Sequence, residues 1–355
     1  MTTSFHLPRA RHEYLLREVE LRGGVNAAEA AEALGVSQVT VRRDIVELAE
    51  QGRLLRVHGG AIAATAPAAP QPARADIGVI VPGAVGHFPV IVRGMQAAAL
   101  SRRARIILAT SHYQPELEQR QVERLVATGV SGIVLAPTLR GRSEQQLAEW
   151  LTGIPVPVVL LERRLRALAL AAYDSARTDH VRGAALAVEH LAGLGHRRVG
   201  LAVFARTPTA PLIREGHEEA VERLGLGEAP VVDLPKGEDD GLDARLGELL
   251  DALRASGTSA VIVHTDVHAA RLVELASDRG VRVPGDLAIV AYDDDTASLA
   301  MVPLTAVTAP RRELGQEVLR VIAERIEQSD DERTAPRRLT ILPSLTVRES
   351  CGAAV

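Results

Sequence analysis

The 355 residues exceed one small module and predict two or three domains. Hydrophobic residues at 46% and charged residues at 24% match an ordinary globular chain and exclude wholesale disorder. The net charge of −4 excludes a chain-wide basic surface, and the single cysteine, Cys351, excludes a disulfide framework or a cysteine-rich metal cluster.

Met1 to Arg11 interrupts its few apolar residues with His6, Pro8, Arg9 and Arg11, so no signal-peptide core is expected there. No apolar run approaches a membrane span, and the expected compartment is the cytoplasm. The spacing of Tyr14, Leu15 and Val19 predicts a helix over Arg9 to Arg22, stopped by Gly23 and Gly24. A second helix fits Ala27 to Leu34, with Asn26 as N-cap and Gly35 as C-terminal breaker. A third begins at Ser37 and buries Val41, Ile45 and Leu48 before Gly52. Arg53 to Ala63 alternates around Gly59-Gly60 as a small hairpin would. Residues 64–75 turn to Ala, Pro and Thr and read as an extended linker.

Beyond the linker, short apolar runs alternate with amphipathic segments. Strands are expected at Ile77 to Val81, Ile106 to Ala109, Gly132 to Ala136, Val156 to Leu161, Val199 to Val203, Ala260 to His264 and Leu287 to Tyr292. Helices fit Phe88 to Ser101, Glu116 to Ala127, Val181 to Leu194, Arg214 to Leu224, Leu242 to Arg254 and Val267 to Arg279. This order means an α/β fold of parallel sheets covered by helices on both faces. Its length predicts two lobes, with the ligand site in the cleft between them, beyond the carboxyl ends of the strands.

With Val41, Ile45 and Leu48 inward on the third helix, Val39, Thr40, Arg42 and Arg43 lie on its sides and outer face near the N-terminus. A base-reading helix makes its contacts there: arginine pairs bidentately with guanine, and Val39 suits a thymine methyl. Ser37 and the free amides suit a phosphate oxygen. The competing reading pairs Arg42 and Arg43 with Asp44 or Glu47 on a solvated face. Acidic and basic residues balance across this region, so charge alone does not decide between the two.

The order of motifs does. Leu34-Gly35-Val36-Ser37-Gln38-Val39-Thr40-Val41-Arg42-Arg43-Asp44-Ile45, followed by Leu54-Leu55-Arg56-Val57-His58-Gly59-Gly60-Ala61, resembles the winged helix-turn-helix of DeoR-type regulators. The resemblance covers nearly all of residues 9–63. It implies DNA contacts from Ser37, Gln38, Val39, Thr40, Arg42 and Arg43, with a wing of Arg53, Arg56, His58, Gly59 and Gly60 along the backbone or minor groove.

Residues 76–349 resemble the sensor domain of LacI/GalR-type repressors, itself similar to periplasmic sugar-binding proteins. The stretches that carry this are Ile77-Gly78-Val79-Ile80-Val81-Pro82, Gly129 to Pro137, His190 to Gly200, Val283-Pro284-Gly285-Asp286-Leu287 and Ala291-Tyr292-Asp293-Asp294 leading to Pro303-Leu304-Thr305. The domain plan implied is a winged helix-turn-helix over 1–63, a linker over 64–75, a two-lobed sensor over 76–349 and a tail over 350–355. The first lobe would take 76–172 and 304–330, and the second 173–303 and 338–349.

The same resemblance places an effector on His87, Phe88, Arg163, Arg206, Thr209, Thr265, Asp266 and Asp293. Alternatives stand beside several of these. Phe88 suits the core, Asp266 a helix N-cap, and Arg163 a surface ion pair; Asp294 and Asp295 suit turn capping. One departure is that the family's arginine three residues before the helix glycine is Ile213 here, before Gly216. Arg214 follows one position later, turned by about 100°, which points it away from the cleft. A second is that the Ala/Pro linker stands where the family has its hinge helix.

Other chemistries fail on spacing. Gly83-Ala84-Val85-Gly86 lacks the third glycine of a dinucleotide loop, and neither a phosphate-binding Gly-Lys-Ser/Thr loop nor a Gly-x-Ser-x-Gly elbow is present. His264-Thr265-Asp266-Val267-His268 has metal-ligating residue types, but a strand end running into a helix makes them diverge. The expectation is a regulator without enzymatic activity, cofactor or metal. Its partners would be operator DNA, a sugar-like small molecule and a second copy of the chain in a homodimer, with no membrane. An activator, or a regulator answering to a non-sugar metabolite, is the alternative. A solute-binding protein would need an export signal and no DNA head; an enzyme on this fold would need a catalytic pair in the cleft.

Overall fold

The computed structural model describes residues 8–22, 24–57, 59–63, 75–83, 86–235, 241–328 and 334–353. The expected linker at 64–75 therefore lies outside the described residues except for Ala75. The chain forms two compact units, residues 1–73 and 74–355.

The first unit runs α1 (Pro8–Arg22), β1 (Gly24–Asn26), α2 (Ala27–Leu34), α3 (Gln38–Glu50), β2 (Leu54–Val57) and β3 (Gly60–Ala63). The expected caps are in place. The Asn26 side chain accepts from the Ala28 amide at 2.8 Å, and Gly35 closes α2 in the left-handed conformation, φ 64°. Val41, Ile45 and Leu48 are buried with Leu15, Val19, Leu34 and Leu54, each such side chain stabilising by about 1.5–3 kcal/mol. The sheet has three strands rather than the expected two, in the order β1-β3-β2, all antiparallel. Gly60 permits it: a Cβ there would lie 1.9 Å from the Val25 carbonyl oxygen.

The second unit follows as β4 (Ala75–Val81), α4 (His87–Ser101), β5 (Ala104–Thr110), α5 (Pro115–Ala127), β6 (Gly132–Leu135), α6 (Glu144–Leu151), β7 (Val158–Leu161) and β8 (Asp174–Thr178). It continues with α7 (His180–Gly193), β9 (Gly200–Phe204), α8 (Ala210–Arg223), β10 (Val231–Leu234), α9 (Leu242–Ala255), β11 (Ala260–His264), α10 (Asp266–Asp278) and β12 (Ala288–Tyr292). The last elements are β13 (Thr305–Thr308), α11 (Arg311–Glu327), β14 (Arg338–Ile341) and β15 (Ser344–Thr346).

Two six-stranded sheets result, β14-β8-β7-β6-β4-β5 and β10-β9-β11-β12-β13-β15, parallel except for the β13/β15 pair. Each is sandwiched between two apolar clusters, so every central strand is buried on both faces. The lobe boundaries differ from expectation. β8 and β14 join the first sheet, although 173–303 and 338–349 are expected in the second lobe. β13 lies in the second sheet, although 304–330 was assigned to the first; only its α11 portion packs there, on α4. The chain thus crosses between lobes after β8, after β13 and after β14. These edge and near-edge strands are short and partly polar, and hydrophobicity does not say which sheet a strand of that kind will join.

The contact of α4 with α11 is backbone on backbone. A Cβ at Gly94 would lie 2.1 Å from the Arg312 carbonyl oxygen, and one at Gly315 2.0 Å from that of Ile91.

Candidate functional site

On the first unit, Ser37 caps α3 by accepting from the Thr40 amide at 3.1 Å, which holds the start of the helix, with its unsatisfied first amides, in a fixed position. Gln38, Arg42 and Arg43 are exposed, and Val39 is 75% exposed, an unusual position for a β-branched apolar side chain with no partner to meet. Asp44, by contrast, is buried and grips Arg11 of α1 through Nε–Oδ2 at 2.7 Å and Nη2–Oδ1 at 3.0 Å. Among the described residues neither Arg42 nor Arg43 has an ion pair, so the competing pairing with Asp44 or Glu47 does not form. Arg53 and Arg56 are exposed on either side of the start of β2 and along it, and Gly59 turns the hairpin at φ 87°. His58 lies outside the described residues. Of possible metal ligands, the only converging group among the described residues is His12, Asp44 and Glu47; the Arg11 guanidinium already occupies Asp44.

In the second unit a cavity of ≈380 Å³ opens between the sheets. Seven of the eight expected effector residues line it: His87, Phe88, Arg163, Thr209, Thr265, Asp266 and Asp293. Arg206 does not; it is exposed on the turn after β9. Arg214 also stays outside, paired with Asp233 of β10, while Ile213 is buried.

Three aspartates follow β12, and their environments separate them. Asp294 binds Arg348 and Thr308, and Asp295 binds Arg311. The Asp293 carboxylate has no hydrogen bond or ion pair among the described residues, and it faces the cavity. Its backbone is left-handed at φ 70°. Asp266 is not an N-cap, a position taken by Thr265. Its Oδ2 instead accepts from the amides of Asp295 (2.9 Å) and Thr296 (2.6 Å). Burial raises its pKa, with the Thr296 and Asp295 hydrogen bonds opposing and the Asp293 charge adding. Arg163 donates to the Pro137 and Glu162 carbonyls at 2.9 Å and stands over the Phe88 ring, 5.9 Å from its centroid. Its Nη2 is buried with no acceptor among the described residues.

The sequence reading missed the cavity's histidine and aromatic wall. Glu162 takes His87 Nε2 at 2.7 Å, and accepts from the Thr178 amide at 3.0 Å and the Thr178 hydroxyl at 2.9 Å. Burial would raise this carboxyl, but His87, His180 and Thr178 hold it well below the usual range. Burial pushes His180 down to about 4 despite nearby Glu162, and His264 down to about 3, with His268 and His87 adding. Both are neutral near pH 7, each able to donate and accept. Tyr113 and Phe204 complete the wall. A positional signal was available, because Tyr113, Glu162, His180, Phe204 and His264 all sit at or just beyond the carboxyl end of a parallel strand. Four of the five non-glycine residues with positive φ among those described, His112, Tyr113, Glu162 and Asp293, lie within three residues of such ends.

Comparison with known proteins agrees with both units. A profile of the DeoR-like helix-turn-helix domain matches residues 11–66, and one of the periplasmic binding protein-like domain matches residues 188–351. The chain is 25% identical over 332 residues to the arabinose metabolism transcriptional repressor of Geobacillus stearothermophilus, covering 91% of this chain and 89% of that protein. It is 31% identical over 263 residues to the HTH-type transcriptional regulator CelR of Thermobifida fusca, covering 73% and 74%. The solved CelR–cellobiose complex has a TM-score of 0.66 at 26% identity, covering 88% of this chain and 90% of that one. A LacI family transcriptional regulator from Enterococcus faecium with bound ribose has a TM-score of 0.64 at 25% identity, covering 78% and 98%.

Proposed function

Because this chain belongs to the LacI family of transcriptional regulators, we propose that it is a cytoplasmic homodimeric repressor, without enzymatic activity, whose operator affinity is set by a sugar or sugar derivative in the cleft. The observation that carries the effector reading is the pairing of an uncommitted carboxylate with an uncommitted donor. Asp293 and Arg163, whose buried Nη2 has no hydrogen-bond partner among the described residues, line one cavity with Phe88, Phe204 and Tyr113. A polyol presents vicinal hydroxyls to such a carboxylate and C–H faces to such rings. The relatives solved with cellobiose and ribose support this ligand class.

The DNA contacts in this reading come from the exposed start of α3, with Arg42 and Arg43 on base edges, Val39 on a thymine methyl, Ser37, Gln38 and Thr40 near the backbone, and Arg53, Arg56, His58, Gly59 and Gly60 as the wing. An effector shifts operator affinity only by binding two states of the protein unequally. The test is a thermal-shift screen of the full chain against mono- and disaccharides and their phosphates, with each hit then titrated into the operator complex. A hit that raises the melting temperature and changes operator affinity is the expected result; absence of any sugar hit, with a non-sugar metabolite active instead, would replace the ligand class. One observation favours that second reading: α8 presents Ile213, not an arginine, where a sugar clamp would be anchored.

A further inference from the structure

A second cavity, of ≈390 Å³, lies on the first lobe and is lined by five arginines, Arg163, Arg164, Arg166, Arg177 and Arg338, with no carboxylate in its wall among the described residues. What sets this lining apart is the gathering of five arginines in one recess; elsewhere the chain's arginines either meet acids, as in Arg105–Asp76, Arg271–Asp243 and Arg282–Asp286, or stand on the surface without one, as Arg120 and Arg254 do among the described residues. Here only Arg164 has an ion pair, with Glu215. Among the described residues Arg166, Arg177 and Arg338 have none.

The fold explains the cavity. Ser175 and Arg177 of β8 share a sheet face with Arg338 and Thr340 of β14, because Arg338 is in register with Ser175 and Thr340 with Arg177. The opposite face of these strands packs beneath α11, through Ala176 and Leu339. On the cavity side the irregular segment carrying Arg163, Arg164 and Arg166 stands where a helix would otherwise cover the sheet. Two hydroxyls and several guanidiniums therefore surround a recess floored by Leu160 and Leu170.

We propose that this cavity is a binding site for a small phosphorylated metabolite, separate from the cleft and bordering it through Arg163. Guanidinium forks match phosphate oxygens bidentately, and the Ser175 and Thr340 hydroxyls supply further donors.

The test is isothermal titration of the full chain with inorganic pyrophosphate and with glucose 6-phosphate, at constant ionic strength set by chloride. Saturable binding is expected, weakened roughly tenfold or more when Arg177→Gln and Arg338→Gln are combined. Arg166→Gln, on the loop rather than the sheet, should weaken it independently, and Asp293→Asn in the cleft should leave it unchanged. Circular dichroism of each variant confirms that the fold is intact. Lack of saturable binding, binding that survives all three arginine changes, or binding lost in Asp293→Asn instead would overturn the proposal. So would arginine variants that lose operator affinity without changing phosphate binding, since the surface would then serve DNA.

Discussion

Replacing Asp44 by alanine removes the carboxylate that receives both Nε and Nη2 of Arg11, a side chain only 9% exposed. Each hydrogen bond to a charged group contributes about 1.5–3 kcal/mol, and two are lost here. A unit of this size rarely has more than about 3–5 kcal/mol in total, so the change should bring it close to its unfolding midpoint at room temperature. The second unit shares none of these contacts. Differential scanning calorimetry should therefore show a low-temperature transition moving down while the main one stays, and operator binding should fall steeply. Because well-packed apolar pairs replace buried ion pairs at little cost, Arg11→Met combined with Asp44→Leu should recover most of the loss. A double variant as unstable as Asp44→Ala, or an Asp44→Ala protein with unchanged head stability and operator affinity, would refute the view that Asp44 braces α3 so that Arg42 and Arg43 are left outward.

Arg42→Ala and Arg43→Ala should each weaken operator binding by about 1–3 kcal/mol and relax sequence preference at one position, whereas a uniform loss across sequences in binding assays would assign them to phosphates. Asp293→Asn retains a residue type that tolerates left-handed backbone, so it should abolish sugar-induced thermal stabilisation without lowering the melting temperature of the free protein; a preserved shift would move the effector away from that carboxylate. Sensor stability should fall as pH drops from about 6.5 toward 4. The unfolded chain binds protons on His180 and His264 that the folded form refuses until about 4 and about 3, a loss of roughly 1.4 kcal/mol per pH unit for each histidine. The depressed Glu162 adds to the loss below pH 4.5, and a flat stability profile across this range in chemical denaturation would contradict these assignments. Gly315→Ala should destabilise the first lobe by about 1–3 kcal/mol in the same assay, through the clash with Ile91.

Much of the fold was legible because hydrophobic period and capping chemistry agreed locally. Ser37, Asn26 and Gly35 cap where short polar side chains and a free Cα should, and the apolar runs at β4, β6, β7, β9, β11 and β12 are central strands. Legibility ended at the sheet edges. β8 reads Asp-Ser-Ala-Arg-Thr, and its buried Asp174 is held by Arg325 and by the Arg337 amide, contacts between residues far apart in sequence. β14 has a similar polar character, so hydrophobicity does not mark the lobe of either strand. In the cleft, family motifs pointed to Asp293 and Asp266, but the neutralisation of Asp294 and Asp295 depends on Arg348 and Arg311, which no local pattern links to them. Glu162 was passed over because its role arises from His87 and Thr178 meeting it across two strands and a helix.

The glycine contact between α4 and α11 has a mechanical consequence. α4 begins with His87 and Phe88 on the wall of the cleft, and α11 begins with Arg311, which grips Asp295 on the opposite lobe. Side chains between helices act as a compliant layer that absorbs small displacements. At Gly94 and Gly315 carbonyl oxygens sit where that layer would be, so the beginnings of the two helices, one on the cleft wall and the other tied to the opposite lobe, should move as one piece when the cleft closes.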